Sequence, residues 1–205
     1  MTNQIRKTHN HMTLNPINNN IIFSFVDPVN SKGEFEKGTT ESGIILQSSF
    51  DDSAKSPRWG NVISAGPSCT VKVGQQVLMP NLRWTSGFTH NGQRLWKTDE
   101  SQVVAVRDSE ASKLHMLRNV VAFVQRTAES KMRTVGSLTV IGRNTDTPKG
   151  VVIVNGPDCL PELNRATIYY DDTNFTDTFS HGGFQLAFIA DDNILAYVPR
   201  EEAGE

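Results

Sequence analysis

The residues of this chain that could support catalysis or metal binding are five histidines, two cysteines and three pairs of adjacent aspartates. Only His9 and His11 are close enough in sequence to share a metal ion. Because no third ligand lies near them, we interpret them as a solvated pair. The aspartate pairs lie in polar, turn-like segments, where solvated carboxylates are the usual explanation. With no Gly-x-Ser-x-Gly elbow and no phosphate-loop motif, we expect a non-enzyme that has no catalytic residues, metal site or cofactor of its own.

Composition and cysteine usage narrow the class of protein further. Cys69 and Cys159 lie far apart and outside any C-x-x-C pair, which predicts two free thiols in a reducing cytosol. The formal net charge of -2 supplies no field that would attract nucleic acid. No apolar run is long enough to cross a membrane, and residues 1–12 lack the apolar core of a secretory signal. We therefore expect a cytoplasmic protein whose partners are neither nucleic acid nor membrane.

The elements that must position any site are arranged as an internal repeat. Residues 60–69 (GNVISAGPSC) match residues 150–159 (GVVIVNGPDC), each a strand that ends in a Gly-Pro turn. Downstream, His90, Leu95 and residues 103–106 match His181, Leu186 and residues 194–197. Upstream, we align residues 21–26 (IIFSFV) with residues 120–125 (VVAFVQ). These matches predict two copies, at about 17–106 and 114–198.

Each copy is predicted to be all-β. Short β-branched and aromatic runs alternate with Gly, Pro, Asn and Asp clusters, and no long segment keeps a helical period. Five or six short strands in about 90 residues suit a small barrel. We therefore expect two tandem small β-barrels, at 17–108 and 109–199, between flexible tails at 1–16 and 200–205. Because the core of such a barrel is limited, association with neighbours is also expected.

Each copy also contains a long polar segment with one apolar island. The segments run from about 27 to 59 and from about 126 to 149. The islands are Gly43, Ile44, Ile45 and Leu46 in the first copy, and Leu138, Thr139, Val140 and Ile141 in the second. Two interpretations are open for these islands. Each is either an ordinary strand of the core, or a recognition segment that becomes ordered only when it docks in an apolar groove.

The first copy resembles the GroES-type co-chaperonin family. In that family a Gly-Ile-Val-Leu loop precedes an Arg-Gly-x-Val strand, an Ala-x-Gly turn, a Val-Lys-Val-Gly segment and a closing strand. The matching residues here are GIIL (43–46), RWGNV (58–62), AG (65–66), VKVG (71–74) and ESQVVAV (100–106). The resemblance covers nearly all of the first copy. The second copy resembles the family mainly through the first, because LNRA (163–166) replaces the Val-Lys-Val-Gly motif.

The resemblance implies a non-enzymatic protein that forms a ring and binds the apical domains of a GroEL-type chaperonin through mobile loops. The contacts would be Ile44, Ile45 and Leu46 in the first copy. In the second copy they would be Leu138 to Val140 or Thr139 to Ile141, and the polar threonine implies weaker docking there. In the family, ATP is bound by the chaperonin, and the last strand of one subunit lies beside the first strand of its ring neighbour.

Two departures from the family pattern refine these expectations. Residues 66–71 are too few for the hairpin that usually roofs the dome, which resembles bacteriophage co-chaperonins and implies an open dome and a viral source. The tandem form resembles the double-domain co-chaperonins of plastids. Both a side-by-side and a stacked arrangement of the copies remain open. The main alternative function is a duplicated-barrel structural protein of a viral particle. A GroES-like domain of a dehydrogenase is rejected because no dinucleotide-binding half follows.

Overall fold

The structure, a computed structural model, describes residues 13–29, 35, 56–126, 132–135, 138–141, 147–171 and 177–200. Antiparallel strands dominate these residues, so the all-β prediction is confirmed. Within the same ranges, the helical segments are three 3-10 turns of three residues each. No helix in the described part of the chain is long and apolar enough to cross a membrane.

The first sheet contains seven strands of the described chain. They are β1 (Asn20–Phe25), β2 (Arg58–Ala65), β3 (Gln76–Met79), β4 (Phe88–His90), β5 (Gln93–Asp99), β6 (Ala105–Arg107) and β7 (His115–Met116). Their hydrogen-bonded order is β4-β5-β1-β2-β3-β6-β7. The strand β7 comes from the segment that leads into the second copy, so the sheet of the first copy includes residues of the second.

The remaining strands form a hairpin and a second sheet. They are β8 (Val120–Arg126), β9 (Met132–Val135), β10 (Leu138–Ile141), β11 (Lys149–Asn155), β12 (Thr167–Tyr170), β13 (Thr178–His181), β14 (Phe184–Ala190) and β15 (Ile194–Val198). The second sheet has the order β13-β14-β8-β11-β12-β15, and β9 pairs with β10. Apart from β7, this order repeats that of the first sheet. Both orders are linear among the described strands, so closure of either sheet into a barrel stays a proposal.

Equivalent glycines fix how the two copies correspond. A Cβ atom on Gly66 would collide with the carbonyl oxygen of Asn18, and one on Gly156 would collide with that of Arg118. Asn18 and Arg118 also share a left-handed backbone, with φ of 53° and 54°. Asn18 is therefore the counterpart of Arg118, which makes Phe23 in β1 the counterpart of Phe123 in β8.

The sequence alignment of residues 21–26 with 120–125 is therefore wrong by one residue. The rings of Phe23 and Phe123 both lie against the glycine near the start of the neighbouring strand, Gly60 and Gly150 respectively. A slip of one residue in a strand exchanges its two faces, so the corrected register decides which side chains enter the core. The alignment of LNRA (163–166) with VKVG (71–74) is also wrong by one residue. The amides of the equivalent Val62 and Val152 donate to the carbonyls of Gln75 and Ala166, which makes Arg165 the counterpart of Gly74. At the later hairpins the alignment agrees with the structure: His90 pairs with Gln93, and His181 pairs with Phe184.

Three apolar clusters hold the fold together. The first belongs to the first copy and includes Ile21, Phe23, Val62, Val77 and Trp96. The third belongs to the second copy and includes Val121, Phe123, Val152, Ile168 and Tyr170. The second cluster lies between the copies and draws side chains from both. Because burial of apolar surface is the main favourable contribution to folding, the contact between the copies is part of the core rather than a surface encounter.

Candidate functional site

The residues predicted to contact a chaperonin are only partly within the described chain. Gly43, Ile44, Ile45 and Leu46 lie outside the described residues. Leu138, Thr139, Val140 and Ile141 form β10, which pairs with β9 in the register Leu138 to Val135 through Ile141 to Met132. In the described residues these two strands pair only with each other. The second island is therefore a strand of a separate hairpin, and the binding role of all eight residues stays a prediction.

The two ends of the polar segment in the first copy are tied to that copy's core. The Nη1 atom of Arg58 lies 2.6 Å from Oδ2 of Asp27, which joins residues on opposite sides of the segment. Between them, the ring of Phe35 lies 4.8 Å from that of Phe25 and 4.1 Å below the guanidinium of Arg58. Strand β2 begins at Arg58. The described ends of this segment are therefore structured, and the island at 43–46 lies between two anchored points.

The junction between the copies is built on continuous strand pairing. Strand β7 pairs with β6, with Met116 opposite Ala105 and His115 opposite Val106. The pairing extends one step further, because the amide of Leu117 donates to the carbonyl of Val104 over 2.9 Å. The segment that opens the second copy therefore lies beside the closing strand of the first. The copies sit side by side at this edge.

Apolar side chains from both copies fill the space behind this strand pair. The first copy contributes Trp59, Leu78, Val104 and Ala105, and the second contributes Leu114, Met116, Val120, Ala122, Phe179 and Leu186. The ring centroids of Trp59 and Phe179 are 6.1 Å apart in an edge-to-face arrangement. Full burial of one large apolar side chain contributes about 1.5–3 kcal/mol. A cluster of this size makes the junction a stable element of the chain.

A buried arginine closes the same junction. Arg107 is only 4% exposed, and its guanidinium lies 3.8 Å from the centroid of the Trp59 ring. Its Nε atom donates to Oε1 of Gln76 over 2.8 Å. Its Nη1 atom donates to Nδ1 of His181 over 3.2 Å. Since a guanidinium can only donate, this contact requires His181 to be unprotonated at Nδ1.

The electrostatics of the junction agree with that assignment. Burial lowers the pKa of His181, and the nearby positive charge of Arg107 lowers it further, while Glu110 acts weakly in the opposite sense. Burial also lowers the pKa of Arg107, although an arginine remains charged at every accessible pH. The pair is therefore a cation beside a neutral imidazole. This histidine and arginine were not predicted from the sequence, and the signal available for them was the recurrence of histidine at positions 90 and 181.

A second polar contact links the copies at the start of the second one. The guanidinium of Arg118 donates to the carbonyl oxygens of Glu100 and Val103. The carboxylate of Glu100 in turn accepts from the amides of Thr70 and Val71, at 2.7 and 2.8 Å. The turn that opens the second copy is therefore fixed to two loops of the first.

The surface of the second copy that is equivalent to this junction is uncovered by any described residue. We define the C-terminal face as the residues of the second copy that correspond, by the repeat, to junction residues of the first copy. They are Lys149, Tyr169, Leu195, Ala196 and Tyr197. Leu195 is 63% exposed and Tyr197 37% exposed, whereas their counterparts Val104 and Val106 are buried. Strand β15 is an edge strand among the described strands, whereas its counterpart β6 is covered by β7.

The first copy has an exposed surface that is equivalent to the second copy's half of the junction. We define the N-terminal face as the residues of the first copy that correspond, by the repeat, to junction residues of the second copy. They are Leu14, Ile17, Ile22, Phe88 and His90. Phe88 is 37% exposed, whereas its counterpart Phe179 is 4% exposed. Ile17, the counterpart of Leu117, is largely exposed. The carbonyl of Leu14 accepts from the hydroxyl of Ser64 over 2.7 Å, which holds this segment beside β2.

The described residues also bear on the other chemical candidates. No group of three or more His, Cys, Asp or Glu side chains within them is arranged to hold a metal ion. Cys69 and Cys159 are free thiols at equivalent turns, and burial raises the pKa of both. A raised pKa lowers the fraction of reactive thiolate. Neither cysteine therefore has the environment of a nucleophile.

Comparison with known proteins adds no family assignment. No protein-family model matches this sequence, and no curated protein is significantly similar to it. The GroES resemblance therefore depends on the motifs of the first copy.

Proposed function

We propose that this protein is a GroES-type co-chaperonin that caps a GroEL-type chaperonin ring and assists ATP-dependent protein folding by that partner. Each copy is a small GroES-like β-barrel, and the protein acts in the cytoplasm, of an infected host if it is a bacteriophage protein. The observation that supports this function best is the pairing of β6 with β7. The closing strand of one copy lies beside the opening segment of the next, as the family resemblance implies for ring neighbours.

In this proposal, chains associate head to tail. The C-terminal face of one chain covers the N-terminal face of the next, because the same two positions of the repeat already cover each other inside the chain. Such heterologous contacts close into a ring when the rotation between neighbours allows it. Since the copies lie side by side within the chain, both belong to one tier of the ring.

Docking on the chaperonin requires no bond chemistry. The apolar residues Ile44, Ile45 and Leu46 bind apical domains, and residues 138–141 add weaker contacts. Ordering a recognition segment costs several kcal/mol of its gross contact energy, which keeps each contact weak. Several such segments on one ring bind together through effective concentration, so capping is firm but reversible. ATP is bound by the chaperonin.

The test is co-purification of the protein with a GroEL-type chaperonin in ATP or ADP. The double variant Ile45→Asp with Leu46→Asp should abolish capture, because charged side chains cannot enter an apolar groove without a large desolvation penalty. The oligomer should stay assembled, because neither substituted residue is one of those that define the N-terminal and C-terminal faces. Leu138→Asp with Val140→Asp is the matched control and should reduce capture less. Capture that survives the first double variant would contradict the assignment of residues 44–46 as the main contact.

One observation favours the alternative of a structural protein in a viral particle. The second island is a strand of the hairpin formed by β9 and β10. A permanently ordered hairpin is what a structural role requires. Amide NMR signals of residues 36–55 and 136–141 distinguish the two functions. Sharp signals that disappear when chaperonin is added support the cap, whereas dispersed signals that ignore chaperonin support the structural role.

A further inference from the structure

A cleft on the second copy is surrounded by three arginines. Arg126 ends β8, Arg165 lies in the turn before β12, and Arg200 follows β15. All three line one cleft of about 520 Å³. The rest of its lining consists of Val151, Val152, Ile153 and Thr167. The lining of the cleft therefore combines three cationic side chains with mainly apolar ones.

The charge in this cleft is uncompensated within the described chain. No acidic residue lines the cleft, and no hydrogen bond or ion pair joins these three guanidinium groups to another described residue. The whole chain nevertheless carries a net charge of -2, so cations are not in general excess. Three like charges around one small cleft repel one another, and an anion bound between them would relieve that repulsion.

The first copy has none of these arginines. By the repeat, the counterparts of Arg126, Arg165 and Arg200 are Val26, Gly74 and Ser109. The second of these positions is the most informative. Gly74 has a φ of 90°, and Arg165 has a φ of 62°, in the region that favours glycine. The second copy therefore places a long cationic side chain on a backbone that disfavours it, and strained positions of this kind concentrate at binding sites.

We infer that this cleft binds a small multivalent oxyanion of the phosphate class. Guanidinium groups present forked donors that match phosphate and carboxylate oxygens in pairs. The hydroxyl of Thr167 adds a further donor, and Ile153, which is 48% exposed, offers an apolar surface to the remainder of a phosphate-bearing compound. None of the residues that line the cleft is a predicted chaperonin contact, so the inference does not rest on the proposed function.

Titration calorimetry of the full chain with pyrophosphate tests the inference. We expect one site per chain, with an affinity that falls as salt is added. Arg165→Gly should weaken binding at least tenfold and at the same time raise the melting temperature, because glycine suits the backbone there. Lys113→Gln, an exposed cation outside the cleft, is the control and should leave binding unchanged. No saturable binding up to millimolar pyrophosphate, or equal binding by the Arg165→Gly and control variants, would overturn the inference.

A second arm separates a free anion from carboxylates of the same chain. Glu201 and Glu202 follow Arg200 directly and Glu205 lies three residues further on. Their carboxylate oxygens accept hydrogen bonds from guanidinium groups, as phosphate oxygens do. The variant with glutamine at these three positions should bind pyrophosphate no more than about twofold more tightly than the parent. Binding that appears only in the glutamine variant would identify the chain's own glutamates as the occupant and would overturn a free ligand.

Discussion

Equivalent strand positions of the two copies differ in burial. In the first copy, the face formed by Trp59, Leu78 and Ala105 is buried against the second copy. In the second copy, the same face carries Lys149, Tyr169 and Ala196, and its edge strand β15 is uncovered in the described structure. Duplication produces two equivalent faces, but only one has a neighbour among the described residues. The covered face carries Trp59 and the buried Arg107, whereas the free one carries Lys149 and Tyr169 at the positions of Trp59 and Leu78.

The same contrast holds for the complementary half of the junction. Val120 belongs to the apolar cluster between the copies and Val124 packs against that cluster, whereas their counterparts in β1 are Asn20 and Ser24. The pairing that closes the ring in our proposal is therefore more polar than the one inside the chain. Interfaces that form and dissociate have polar rims, whereas permanent ones resemble a protein core. The difference therefore predicts a fixed junction within each chain and a weaker one between chains.

The largest expected effect comes from removing the tryptophan of the covered junction. Trp59→Ala should lower the free energy of unfolding by about 3–5 kcal/mol, since it leaves a cavity between the copies and removes the aromatic partner of Arg107. Lys149→Ala, at the equivalent and exposed position, should change it by less than about 0.5 kcal/mol. Urea unfolding of both variants measures the difference. Equal effects would show that the two faces are not distinguished in the way the structure indicates.

The next effect concerns the uncovered face. Leu195→Asp should shift the protein from a ring towards single chains, raising the dissociation constant by about 10–100-fold if burial of this leucine contributes about 1.5–3 kcal/mol. Leu82→Asp is the control, because Leu82 is also exposed but belongs to neither face. Sedimentation over a range of protein concentrations measures the shift. A parent protein that is already a single chain at micromolar concentration would remove the ring from the proposal.

A smaller effect follows from the buried histidine. Because the pKa of His181 is lowered from its ordinary value of 6.5, the folded protein holds fewer protons there than the unfolded chain. The stability that depends on neutral His181 is therefore complete above pH 6.5 and is lost as the pH falls towards its folded pKa. Unfolding measured at several pH values should show this loss, and His181→Gln should reduce it. An identical pH profile in the variant would contradict the neutral-acceptor assignment.

The sequence predicted the repeated strands better than it predicted their faces. Gly66 and Gly156, His90 and His181, and the closing strands were aligned correctly, because glycine turns and spacing are local signals. The register of β1 against β8 was missed by one residue, since it is set by contacts such as that of Gly66 with Asn18, far apart in the chain. Trp59 is next to a polar segment in the sequence, and no local pattern predicts its contact with the ring of Phe179.

The burial of Arg107 could not be predicted from the sequence for the same reason, because it depends on residues that are distant in the chain. A charged residue at the end of a strand is usually solvated. Burial of Arg107 is compensated by contacts with Trp59, Gln76 and His181, which lie on three separate strands. For the islands at 43–46 and 138–141, the sequence suggests a function but not a local structure. Their sequences predict recognition through a family motif, but the pairing of β9 with β10 could not be read from composition.

The smallest expected effect is a gain in stability. Burial raises the pKa of Asp177, which lies two residues before Phe179 of the junction, so its charged form is penalised in the folded state. Its counterpart in the first copy is the uncharged Ser86. Asp177→Asn should therefore raise the melting temperature at neutral pH by a few degrees, in the range expected for about 0.5–1 kcal/mol in a chain of this size.

The sign of this gain has a pH signature. A carboxyl group with a raised folded pKa costs stability as the pH rises through its unfolded value of 3.8, and the cost is constant above the folded pKa. The advantage of Asp177→Asn should therefore be absent in acid, grow with pH and then level off. Asp158→Asn, which makes the same change at an exposed turn, is the control. If both variants behave alike, the penalty does not arise from burial beside the junction, and the covered face tolerates charge as well as the free one.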